Sequence, residues 1–141
     1  MEVLLAITGT QRFGEEEPEV TKLVTEGTLC RDGEIFLLSY AESELTGMEG
    51  TTTTFRIEQE CVTLLRTGAV ESRMVFAQGV EDRSLYDMGF GALMISVCAD
   101  RVNVSIDENG GTLDVAYQIT IEQETVGYIE YHIDARPKQA Q

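Results

Sequence analysis

From Leu113 to Glu122 apolar and polar residues alternate almost without a break, with Leu113, Val115, Tyr117, Ile119 and Ile121 on one side and Asp114, Gln118, Thr120 and Glu122 on the other. A period of two sends successive side chains to opposite faces of an extended chain, so this segment is a half-buried strand. Similar β-branched and apolar runs recur along the chain, and the spacing predicts strands over residues 2–13, 20–31, 34–41, 51–58, 61–68, 70–78, 90–99, 102–107, 112–122 and 125–134. Pro18 and Pro137 are the only prolines, and the thirteen glycines fall mostly between the runs, where turns interrupt strands. Tight hairpins are expected at Arg31-Asp32-Gly33-Glu34, Gln59-Glu60, Asp107-Glu108-Asn109-Gly110-Gly111 and Gln123-Glu124.

Strands in hairpin order without intervening helices either form two packed sheets or close on themselves, because a wide open sheet leaves edges that aggregate. Closure is the expectation, giving an all-β, single antiparallel barrel of about 8–10 strands over residues 1–141, with a flexible tail after Pro137. A barrel of that size either packs its interior with its own side chains or encloses one small ligand, and that choice decides the functional question.

Composition narrows the partners. With 25 acidic and 10 basic residues the chain carries a net charge of −15, which repels phosphate backbones and anionic lipid surfaces. Nucleic acid and membrane are therefore not expected as partners, and no apolar run reaches the roughly 20 residues of a membrane helix. The acidic run Glu15-Glu16-Glu17-Pro18-Glu19 is read as a solvated connector. Met1 to Ile7 lack the basic start and small-residue cleavage site of a secretory leader. Cys30, Cys61 and Cys98 are odd in number and contain no CxxC pair, so reduced thiols and a cytoplasmic location are expected, with neither a metal site nor a cofactor.

One segment stands out: Glu42-Ser43-Glu44-Leu45-Thr46-Gly47-Met48-Glu49-Gly50 runs directly into Thr51-Thr52-Thr53-Thr54. It resembles the signature of the YwiB-like family, bacterial proteins of unknown function assigned to the calycin superfamily of β-barrels. Thr25-Glu26-Gly27, Leu38-Ser39-Tyr40, Arg66-Thr67-Gly68, Met74-Val75-Phe76, Gly110-Gly111-Thr112-Leu113 and Val126-Gly127 extend the resemblance over nearly the whole chain. It implies a calycin-like barrel and a cavity for a small molecule, and no reaction. The ligand modes of better-known calycins do not carry over, since this chain has no tryptophan for a lipocalin Gly-x-Trp. Its last strand, Tyr128-Ile129-Glu130-Tyr131, lacks the Arg-x-Tyr of fatty-acid-binding barrels.

Candidate ligand residues follow from chemistry and parity. Glu42, Glu44 and Glu49, with the hydroxyls of Thr51 and Thr53, form one polar group at a barrel mouth, because alternate threonines face alternate sides. Arg66 shares parity with Val62 and Leu64 and so faces the core, where a guanidinium requires either a glutamate of the signature or an anionic ligand. Tyr86 and Phe90, in an aromatic and glycine stretch read as a loop, are candidates for the rim. His132, the only histidine, shares its face with Glu130 and Asp134 and is read as exposed. No catalytic residues are predicted: among 25 acids, a carboxylate pair drawn from Glu42, Glu44, Glu49 and Asp87 carries no weight. The leading expectation is a barrel binding a small, partly apolar molecule. The alternative is a packed barrel acting as a homodimer or docking surface, suggested by apolar residues on both faces of Ile35-Phe36-Leu37-Leu38.

Overall fold

The computed structural model describes residues 1–43, 49–69, 71–87 and 92–138, with the backbone alone for 84–87 and 92–93. Ten strands follow one another: β1 (Glu2–Phe13), β2 (Glu19–Asp32), β3 (Ile35–Ala41), β4 (Thr51–Ile57), β5 (Val62–Gly68), β6 (Ser72–Phe76), β7 (Glu81–Asp87), β8 (Ala92–Asp107), β9 (Gly110–Ile121) and β10 (Glu124–Pro137). They form one sheet in the order β6-β5-β4-β3-β2-β1-β10-β9-β8-β7, every neighbouring pair antiparallel. The sheet curls until its two ends meet, giving an all-β, nearly closed barrel. Among the described residues, few bonds cross this seam. Gln78 bridges to Ala99, the Gly79 amide donates to the Ala99 carbonyl at 3.0 Å, and the Val75 amide donates to Asp82 Oδ2 at 3.0 Å. A side-chain carboxylate thus caps an edge amide that a closed ladder would otherwise have paired.

The core follows from strand parity. Val3, Leu5 and Ile7 of β1, Leu38 and Tyr40 of β3, Phe55 and Ile57 of β4, Val62 and Leu64 of β5, Leu113, Val115 and Tyr117 of β9, and Ile129 and Ile133 of β10 are all buried in one cluster. Their outward neighbours are mostly polar, as the alternation requires. Leu37, on the outer face of β3, is half-buried between its ladder partners Cys30 and Arg56. His132 is exposed.

Two strand assignments differ from the sequence reading, and their errors cancel in the count. The expected strands at 90–99 and 102–107 are one strand, β8, and β7 is a strand where the spacing predicts none. In β8, Ala99 pairs with Tyr117 and Arg101 with Ala116, so Asp100 is an extra residue that forms a β-bulge. The bulge switches parity: Val97 and Ala99 are buried before it, while Val102, Val104 and Ile106 pack on the core after it. The polar pair Asp100-Arg101 therefore imitated a turn. β7 was hidden because Glu81-Asp82-Arg83-Ser84 contains no apolar residue. Its ladder to β8, from Glu81↔Cys98 to Asp87↔Ala92, makes it a strand.

Two turns have other bounds than expected. The β9–β10 loop is Glu122-Gln123 rather than Gln123-Glu124, and both residues adopt positive φ, 51° and 71°. Gly110 and Gly111 open β9 instead of lying in the loop, which is Glu108-Asn109.

Candidate functional site

The antiparallel register places one residue from each of five strands in a lateral row inside the barrel. Gly27 pairs with Tyr40, Tyr40 with Thr53, Thr53 with Arg66, and Arg66 with Ser72. Gly27 makes room for the row: a Cβ there would lie 2.5 Å from the Ser39 carbonyl oxygen and 2.9 Å from Leu5 Cδ1. The inward parity of β3, through Leu38 and Tyr40, continues one step past the strand and buries Glu42 beside the row. The Glu42 amide donates to the Thr51 carbonyl at 2.8 Å, which fixes that extra step.

Glu42 and Arg66 are the charged members. Glu42 is buried, its side chain only 1% exposed, and Arg66 Nε lies 4.0 Å from its Oε2. Thr53 Oγ1 donates to the same oxygen at 2.6 Å. Arg66 Nη2 donates to the Tyr131 hydroxyl at 3.3 Å, across the barrel from β10. Tyr131 is held edge-on to Phe55 and tilted against Tyr117, with both pairs of ring centroids 6.4 Å apart. Burial opposes the Arg66 charge, but Tyr131, Tyr117 and Glu42 outweigh it and hold the guanidinium above its usual value. Burial, the charge of Glu42 and a hydrogen bond to Glu42 push the Tyr40 phenol well above the ordinary tyrosine value, so it remains neutral.

The polar accounts of this cluster do not close internally. Glu42 Oε1, Arg66 Nε and Ser72 Oγ are buried and make no hydrogen bond among the described residues. Such groups each cost about 1–3 kcal/mol when left unmade, and proteins satisfy them with a bound partner or ordered water. Glu42 also lines a cavity of about 340 Å³ with Tyr40, Tyr131, Ile7, Leu23 and Ile129, and with Gly9, Thr10, Gln11, Glu19 and Thr21 toward the β1–β2 hairpin. The size is at the lower end of the roughly 300–1,000 Å³ typical of small-molecule pockets. A second depression, of about 920 Å³, lies at the opposite barrel end between Phe36, Ile57, Cys61 and Ile106. Its polar rim, Glu34, Gln59 and Glu60, is exposed.

The sequence candidates separate accordingly. Glu42, Thr53 and Arg66 come together, and Thr51 is buried one inward position from Thr53. Glu49 is exposed in the turn before β4. Glu44 and Phe90 lie outside the described residues. Tyr86 belongs to β7, paired with Leu93, rather than to a loop, and its side chain is not described. Sequence reasoning missed Tyr40 and Tyr131 as polar groups of the site, and it missed the lining from β1 and β2. The signal for Tyr40 was its parity with Glu42. Among the described residues, no group of three or more His, Cys, Asp or Glu side chains is arranged to hold a metal ion.

Known proteins place this barrel in a lineage without assigning it a ligand. The solved crystal structure of ywiB protein from Bacillus subtilis has the same fold, with a TM-score of 0.78 at 20% identity, covering 96% of this chain and 92% of that one. The "Uncharacterized beta-barrel protein YwiB" of Bacillus subtilis (strain 168) is 25% identical over 107 residues, 75% of this chain and 73% of that protein. The model of the family described as "Domain of unknown function (DUF1934)" matches residues 5–133, nearly the full barrel. The chain therefore belongs to the DUF1934 family of β-barrel proteins.

Proposed function

We propose that the protein binds a small, partly apolar molecule in the cavity between β1, β2, β3 and β10. The observation that carries this reading is Glu42, a residue of the cavity lining whose buried carboxylate has one oxygen without a hydrogen bond among the described residues. A barrel serving only as a packed structural or docking module gains nothing from a half-satisfied polar cluster, because an apolar core would be more stable. The aliphatic wall of Ile7, Leu23 and Ile129 supplies the apolar part of the site.

A Leu23→Trp variant tests the reading. Leu23 is half-buried in the cavity wall, so an indole there fills the space without requiring deep burial. Ligand-observed NMR with a six-carbon amphiphile is expected to report binding to the natural chain and its loss in the variant. Equal signals from both proteins, with the variant folded, would place binding elsewhere.

A further inference from the structure

The cavity's charge is one-sided. Among the described residues, its lining contains two carboxylic acid residues, Glu42 and Glu19, and no lysine or arginine. Gln11 Nε2 donates to Glu19 Oε2 at 3.3 Å, holding that second acid at the outer part of the lining. Arg66 stands behind Glu42, its Nη2 committed to Tyr131. Thr53 donates to Glu42 Oε2, Arg66 faces the same oxygen, and Tyr40 bonds to the same carboxylate, while Oε1 is buried without a hydrogen bond among the described residues. Two phenol rings, Tyr40 and Tyr131, complete the polar wall, and aromatic faces attract cations through their quadrupole.

From this arrangement we infer that the ligand presents a primary ammonium or comparable cationic group at the Glu42 and tyrosine side of the cavity, with a short apolar chain lying against Ile7, Leu23 and Ile129. The inference rests on the cavity being the ligand site. Arg66 offsets the charge of Glu42, so Glu19 leaves the site with a surplus of one negative charge for the ligand to match. An anionic ligand would meet both carboxylates before reaching Arg66, and the whole chain, at −15, repels it. A neutral alcohol could hydrogen-bond in the cavity but would leave that surplus unmatched. Hydrogen bonds between ionised partners are about twice as strong as neutral ones.

Isothermal titration calorimetry of the full chain with hexylamine, hexan-1-ol and hexanoate tests this at neutral pH. Hexylamine is expected to bind most tightly, and Glu42→Gln to weaken it by about tenfold or more while changing hexan-1-ol by less than about threefold. Because Glu42→Gln alters a buried group, Glu19→Gln at the exposed rim is the second variant, expected to weaken hexylamine by about two- to fivefold without loss of fold. Hexanoate binding as tightly as hexylamine, or hexylamine affinity unchanged in both variants, would overturn the cationic head group while leaving the cavity as a ligand site. Binding of none of the three compounds would contradict the cavity reading itself, and the head-group inference with it.

Discussion

Arg66 Nε and Glu42 Oε2 face each other inside the barrel at 4.0 Å, a separation that retains the Coulomb attraction but is too long for a hydrogen bond. The pair is close enough for each charge to stabilise the other and open enough for each to keep an unpartnered atom. Its consequences differ for folding and for binding.

For folding, removing one partner strands the other. Arg66→Met is expected to destabilise the protein by about 3 kcal/mol or more, because Glu42 becomes an uncompensated buried charge. Adding Glu42→Leu to that variant is expected to recover most of the loss, because a paired apolar replacement removes both desolvation penalties. Urea unfolding of both single variants and the double variant measures the coupling. Simple additivity of the two losses would show that the residues act independently.

Tyr40 gives the fold a pH dependence on the alkaline side. Its phenol titrates above the ordinary tyrosine value of 10.0 in the folded protein, chiefly because burial disfavours the phenolate and then because Glu42 is negative. The folded state thus holds its proton more tightly than the unfolded chain. This contribution to stability is complete below pH 10 and is lost as pH rises above it toward the folded value. Relative to Tyr40→Phe, the natural chain should lose up to about 1.4 kcal/mol per pH unit in that window. Parallel slopes for the two proteins in urea midpoints taken from pH 9 to 11 would count against it.

The β9–β10 hairpin holds a local conflict that substitution can relieve. Glu122 and Gln123 both occupy the left-handed region, which non-glycine residues adopt at a steric cost and which a two-residue hairpin loop requires. Glu122→Asn with Gln123→Gly supplies the residues that such a turn favours. The double variant should be more stable by about 0.5–1 kcal/mol, read as a higher urea midpoint at unchanged slope. A lower midpoint would mean that those side chains make contacts that outweigh the strain.

The parts of the fold that were legible in the sequence are those where one face is buried and the period of two is clean. Leu113 to Ile121 is the clearest case, and the inward placement of Thr51, Thr53 and Arg66 followed from the same parity. Parity fails where the backbone departs from a regular ladder. Asp100 adds one residue and reverses the faces of the rest of β8, and nothing in a polar dipeptide distinguishes a bulge from a turn. The site was half legible for a related reason. Arg66 announced the need for a partner, but Glu42, Glu44 and Glu49 lie in a stretch of sequence with no hydrophobic period to rank them. Glu42 is distinguished by its backbone bond to Thr51, a contact between the residue after β3 and the start of β4 that only folding creates. Tyr131 packs against the core with Ile129 and Ile133 of its own strand, while its hydroxyl meets Arg66 through a sequence separation of 65 residues.

The most direct test of the account is amide shift mapping of the natural chain during titration with hexylamine. Perturbations are predicted at Gly9, Gln11, Thr21, Glu42 and Tyr131, which line the cavity, with little change at Glu60, Cys61 and Ile106, which line the depression at the far end of the barrel. Saturating hexylamine that leaves the first set unmoved, or shifts only the second, would contradict a ligand site at Glu42.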